Sequence, residues 1–166
     1  MSSREWSSLS SEIKDTITSH QLEVPVRISS LAKALGVEVK AATLPAGISG
    51  EIRPNKPRGN HYVVRINRHD PSRRQRFTAA HEIAHFLLHI NEIGAGISDD
   101  VLYRSSLSDR REAEANRLAA DILMPEDLVR EALETAKLLK IADVIGYLAD
   151  RFEVSEAAMR IRLGID

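Results

Sequence analysis

Residues 70–89 read Asp-Pro-Ser-Arg-Arg-Gln-Arg-Phe-Thr-Ala-Ala-His-Glu-Ile-Ala-His-Phe-Leu-Leu-His. Asp70 suits an N-cap and Pro71 the first helical position, because the pyrrolidine ring presets a helical φ and the missing N–H would be unpaired there anyway. Phe77, Ala80, Ala84, Leu87 and Leu88 recur at helical spacing and predict a helix to about Leu88. Within it, His81-Glu82-Ile83-Ala84-His85 has H-E-x-x-H spacing. Residues four apart share a helical face, so two imidazoles can grip one metal ion. Glu82 projects to the same side and can take a proton from a water there without being a ligand. The plain alternative is two surface or core histidines. The mid-helix position behind a capped start favours the metal.

Upstream, Trp6, Leu9, Ile13 and Ile17 predict an amphipathic helix over residues 4–20. Ser29 or Ser30 can cap a short helix that Gly36 ends. Three short strands are expected at 37–41, 48–52 and 61–67. They are joined by turns at Pro45 and Gly47 and at Asn55, Pro57, Gly59 and Asn60. Tight connections between short strands predict a small antiparallel sheet. Downstream, residues 91–107 read as an irregular loop. Ser108 caps a helix to about Leu123, and Met124-Pro125 ends it. Helical patterns follow over 126–135, 138–151 and 155–163. Helices, a small sheet, then helices make an α+β layout. The expected organisation is a core over 1–125 and a small helical unit over 126–166, helix-turn-helix in outline, packed on that core.

The 166 residues, 43% of them hydrophobic, suffice for one compact domain with a real core. A net charge of −1 argues against a surface built for nucleic acid or anionic membrane. With no Cys, thiol nucleophiles, iron–sulfur clusters and Cys-based zinc sites are excluded, so a metal site must use His, Asp and Glu. The opening MSSREWSSLSSEIKD lacks the apolar stretch of a signal peptide, and no apolar run approaches the roughly 20 residues that span a bilayer. A soluble cytoplasmic protein is expected.

Catalytic zinc usually takes three protein ligands and keeps an open position. The third ligand is sought in Arg111-Glu112-Ala113-Glu114-Ala115-Asn116. Glu112 and Asn116 share a face, while Glu114 points away from them. One reading makes Glu112 the ligand and lets Asn116 bond the free ring nitrogen of a ligand His. Glu114 is the rival, and solvated surface charge is the plain alternative for both. Spacing leaves the choice open. Zinc is the default for two His and a carboxylate, and Mn²⁺ or Fe²⁺ also suit such a site. His89 follows His85 by four, but three successive turns span about 12 Å, too far for one ion. It reads as a structural or supporting residue. Tyr103 is a candidate donor to the oxyanion of a tetrahedral intermediate, against a packing role in the loop. His61 and Tyr62 precede the helix on a strand, and His20 and His69 carry no partner signal.

Two charge patterns remain. Residues 51–76 hold eight basic side chains against Glu51 and Asp70, which reads as a solvated face or a dock for an acidic protein segment rather than DNA. Residues 126–166 hold nine acidic and six basic residues, so a packing and substrate-orienting role is expected there rather than DNA reading.

Residues 76–89, RFTAAHEIAHFLLH, followed by residues 112–125, EAEANRLAADILMP, resemble the bacterial ImmA/IrrE family of metallopeptidases. The resemblance spans roughly residues 15–165 and is carried by these two blocks. It implies a minimal zincin fold of the gluzincin type, with a sheet, an active-site helix and a second helix bearing the glutamate. It also implies His81, His85 and Glu112 as ligands, Glu82 as base and Asn116 as their support. The implied activity is site-specific cleavage of a cognate Xre-type helix-turn-helix repressor, which switches on stress-response or mobile-element genes. Some members are described in toxin–antitoxin-like pairs. Larger relatives carry a sensor domain, for which a chain ending at Asp166 is expected to have no room.

Two function classes follow. The first is a zinc endopeptidase acting on a protein substrate laid beside an edge strand within 48–67. The second is a partner-binding module that keeps the fold without proteolysis. Glu82 favours the first, since a pure binder has no need of a base. Direct DNA binding through 126–166 is the least supported, and no membrane partner is expected.

Overall fold

The computed structural model describes residues 2–55, 61–94, 96–100 and 108–165. The order is α1 (Arg4–Ser8), α2 (Ser11–Ser19), α3 (Ile28–Ala34), β1 (Val37–Ala42), β2 (Ile48–Pro54), β3 (Tyr62–Asn67), α4 (Ser72–Ile93), β4 (Ile97–Asp100), α5 (Asp109–Leu123), α6 (Glu126–Leu138), α7 (Val144–Phe152) and α8 (Glu156–Leu163). This is the expected α+β arrangement. Among the described residues, no helix is long and apolar enough to cross a membrane.

The sheet departs from the expected antiparallel form. Its order is β1-β3-β2-β4, with β1 parallel to β3 and the β2–β3 and β2–β4 pairs antiparallel. Turn signals count chain reversals, but they do not say which strand fills the slot. The connection from β1 to β2 steps over one strand width, and β3 returns into the gap. β3 therefore lies between β1 and β2, where its Val64 and Ile66 are buried. Residues 48–67 consequently form the two inner strands. The edge strands among the described residues are β1 and β4, so the expected edge within 48–67 is overturned. β4 itself falls inside the stretch read as an irregular loop, and α4 runs five residues past Leu88. Four residues without alternation carry too little local signal. β4 is specified by its pairing with β2.

Helix boundaries follow capping chemistry. The single helix expected over 4–20 is two, because the Ser10 hydroxyl accepts from the Ile13 N–H and starts α2 afresh. Ser108 caps α5 in the same way through Arg111 N–H. The expected serine cap of α3 and the expected Asp70 cap of α4 are absent: Arg27 and Pro71 stand at the N-caps, neither with a side-chain bond, and α4 begins at Ser72. Gly36 follows α3 with φ +86°, a left-handed conformation that lets the chain turn out into β1.

α4 packs on β2 and β3 with one side and along α5 with another. Ala80, Ala84, Ala115 and Ala119 are fully buried, and such small side chains allow closely packed helices. Ile52, Val64 and Ile66 of the sheet, Ile83 of α4, Leu118 and Ile122 of α5, and Leu148, Phe152 and Met159 of the last two helices belong to one hydrophobic cluster. α4 thus lies between the sheet and the other helices, and its chemistry-bearing face is set by both.

Candidate metal centre

One face of α4 and one face of α5 converge. The Nε2 atoms of His81 and His85 stand 3.0 Å apart. Glu112 Oε2 lies 3.1 Å from His81 Nε2, and its Oε1 lies 3.1 Å from His85 Nε2. Candidate ligand atoms of these three residues all lie within 4.8 Å of one another. A tetrahedral zinc with bonds of about 2.0–2.1 Å sets its ligand atoms about 3.3 Å apart. Two imidazole nitrogens and a carboxylate also form the donor set zinc favours in catalytic sites. The residues present therefore fit such an ion.

The supporting contact is equally specific. His81 Nδ1 lies 2.8 Å from Asn116 Oδ1. An amide oxygen only accepts, so His81 carries its proton on Nδ1 and turns the Nε2 lone pair inward. The tautomer is assigned from this partner. Of the two glutamates left open by spacing, Glu112 joins the histidines and Glu114 does not. Glu114 Oε2 instead meets His89 Nε2 at 3.0 Å, and Arg110 and Arg111 donate to the same carboxylate at 3.1 and 3.2 Å. The His89 bond first, then Arg111, hold Glu114 below the ordinary carboxylate range. His89 Nδ1 also lies 2.9 Å from His85 Nδ1.

Glu82 is fully buried. It sits under β2 at Gly50: a Cβ built there would stand 3.5 Å from Glu82 Oε1 and 2.4 Å from the Thr78 methyl. Gly50 pairs with Ile66 of β3 on one side and with Asp99 of the edge strand β4 on the other. The interior glycine of β2 is therefore what lets the sheet lie against the helix beside Glu82. A lone glycine within a strand pattern is the sequence signal of such an approach.

Tyr103, the expected oxyanion donor, lies outside the described residues. Tyr62 makes an edge contact with Phe86 of α4 at 5.3 Å between ring centres, a packing role. His20 Nδ1 bonds the Thr16 carbonyl of its own helix at 2.8 Å, and His69 Nε2 lies 3.4 Å from the Thr43 hydroxyl. Four of the eight basic residues of the stretch 51–76 are engaged in ion pairs within the structure. Arg53 and Arg65 both bind the buried Glu51, at 2.6 and 2.7 Å. Arg73 pairs with Asp150, and Arg76 with Glu153 at 3.5 Å. Among the described residues these four arginines tie the structure together rather than offering a free basic dock.

The chain is similar to known proteins. The family model Peptidase_M78, described as the IrrE N-terminal-like domain, matches residues 32–164. The radiation response metalloprotease IrrE of Deinococcus radiodurans is 36% identical over 107 residues, covering 59% of this chain and 29% of that protein. A solved structure of a Mycobacterium tuberculosis transcriptional regulator superposes with a TM-score of 0.58 at 20% identity, a likeness of fold, covering 93% of this chain and 46% of that one. The chain thus spans less than half the length of either relative. With well over half of its own length inside the family match, it belongs to the IrrE N-terminal-like family of metallopeptidases.

Proposed function

We propose that this chain is a zinc-dependent endopeptidase domain in which His81, His85 and Glu112 hold the metal and Glu82 is the general base. The observation that carries this reading is the convergence of three electron-pair donors from two helices at 3.0–3.1 Å. Mn²⁺ is the alternative occupant, since the same donors suit it. Zinc held there supplies Lewis acidity to the scissile carbonyl and to the attacking water.

The chain's own groups do the rest. Glu82 accepts a proton from the attacking water and delivers it to the leaving amine nitrogen, so that the peptide bond breaks as the new carboxylic acid forms. Asn116 holds His81 in the required tautomer. Tyr103 remains the proposed donor to the oxyanion. The peptide is placed along the outer edge of β4, whose Asp99 pairs with Gly50 above Glu82, and an extended substrate can add there by strand pairing.

The proposed substrate is a cognate Xre-type helix-turn-helix repressor, cleaved at one site in the cytoplasm to release repressed genes. Support comes from the two sequence blocks at 76–89 and 112–125 and from a relative named for a radiation response. A stress-response role is favoured on that name over a toxin–antitoxin one. Residues 126–166 are proposed as a small helical unit on the 1–125 core that helps orient the substrate.

The test is direct. Zinc-loaded chain is incubated with each helix-turn-helix repressor from the same organism, and products are read by intact-mass spectrometry. A single cut is expected, absent with Glu82→Gln although that variant keeps its zinc, and absent with His81→Ala, which loses the metal. Equal cleavage by Glu82→Gln would sink the mechanism. A metal-free double variant that still relieved repression in a reporter would favour the partner-binding reading.

A further inference from the structure

We infer that His89 and Glu114 are positioning residues, forming with His85 a buried relay that fixes the tautomer and orientation of His85 at the metal centre. The inference rests on the metal-site reading above and concerns residues outside the H-E-x-x-H motif.

The relay runs in one direction. Glu114 receives bonds from Arg110 and Arg111, which can only donate, so its carboxylate is the acceptor at this end of the chain of bonds. His89 Nε2, 3.0 Å away, must therefore donate to it. In the neutral ring this leaves His89 Nδ1 as an acceptor. Its partner at 2.9 Å is His85 Nδ1, which must then carry the proton. His85 Nε2 is left with a lone pair aimed at His81 Nε2 and Glu112. The result mirrors what Asn116 does for His81, reached through one extra ring.

Two further observations support a built arrangement. His85 is fully buried and His89 is 2% exposed, so water cannot substitute for either partner. The backbone leaves helical geometry at His89 (φ −127°, ψ 26°), which sets this ring apart from an ordinary next turn of α4. The relay also explains why α5 carries glutamates at both 112 and 114, which reach two different histidines of α4.

The test separates positioning from general stability. Zinc affinity of the full chain is measured by competition with a chromophoric chelator for wild type, His89→Leu, His89→Gln, Glu114→Ala and Glu114→Gln. Cobalt-substituted spectra are recorded for each, and thermal unfolding is followed in the metal-free state. His89→Leu and Glu114→Ala are expected to lose about 10- to 100-fold in zinc affinity and to shift the cobalt bands. His89→Gln can accept from His85 and donate to Glu114, so it should stay near wild type. A variant combining His89→Leu with Glu114→Ala should lose no more than the worse single one, because both act through one chain of bonds. If His89→Leu fails to fold, the Glu114 pair decides the question alone. Affinities within threefold of wild type, with unchanged cobalt spectra, overturn the relay while leaving the metal site standing. A wild type that holds no zinc overturns both.

Discussion

Gly50 and Glu82 face one another across the contact between β2 and α4, and a single added methyl at position 50 would stand 3.5 Å from Glu82 Oε1 and 2.4 Å from Thr78 Cγ2. Real Cβ atoms do not approach a neighbour that closely, so in Gly50→Ala either the Thr78 side chain turns away or the strand moves off the helix. Overpacking of this kind costs about 1–3 kcal/mol. The expected outcome is a lower urea midpoint and a larger proportional loss of peptidase activity, since the crowded contact lies directly beside Glu82. Full activity at normal stability would show that the contact yields freely there.

Asn116 reaches His81 from α5 at 2.8 Å. In Asn116→Ala the ring loses the oxygen that selects its tautomer, and zinc affinity is expected to fall about 10- to 100-fold. Competition with a chelator checks it. Asn116→Asp, which keeps the acceptor, should bind zinc more tightly than the alanine variant.

Glu5 ties the N-terminal helix to α5. It is 5% exposed and receives bonds from Arg117 at 2.6 and 3.0 Å. The Arg117 hydrogen bond is the largest cause that draws its carboxyl from the ordinary 4.5 to about 2. A carboxyl whose folded value is depressed adds stability above its unfolded value. That contribution is lost as the pH falls through 4.5 towards 2. In metal-free protein, Glu5→Gln should therefore be less stable than wild type by about 1–2 kcal/mol at pH 7, the half-exposed Arg117 moderating the effect. The gap should narrow from pH 4.5 downwards. A gap that stays constant to pH 3 would show that the carboxylate charge is not what Arg117 recognises.

Two ion pairs should respond very differently. Arg162 and Asp121 meet at 3.0 Å with side chains 8% and 3% exposed, whereas Arg130 and Asp127 meet at 2.9 Å with side chains 65% and 91% exposed. Removing one partner of a buried pair strands a charge and costs about 3–5 kcal/mol. An exposed pair contributes about 0–1 kcal/mol. Denaturant unfolding of Arg162→Met and Arg130→Met is expected to show that difference, and equal effects would mean that the bonds Asp121 also accepts from Ser3 N–H and hydroxyl suffice for its charge.

The sequence by itself determined the local pieces. Periodicity set α4, and periodicity with the Ser108 cap set α5. The spacing of four put His81 with His85 on one face and Glu112 with Asn116 on another. Two short blocks were enough to reveal the family resemblance, and the absence of cysteine limited the metal to nitrogen and oxygen ligands. These are properties of a single helix turn or of composition, so they can be read without knowing what lies opposite.

Only the tertiary structure decided which faces meet. Helical spacing gives angles around one axis, and the choice between Glu112 and Glu114 depends on how α5 lies along α4. That packing turns Glu112 to His81 and His85 and Glu114 to His89. Strand order is likewise a long-range property. β3 enters between β1 and β2, and β4 exists because β2 has a free edge to pair it, which no run of four residues could announce. Gly50 is the same case at one position: its missing side chain acquires meaning only when Thr78 and Glu82 arrive against it from the helix, more than twenty-five residues further along the chain.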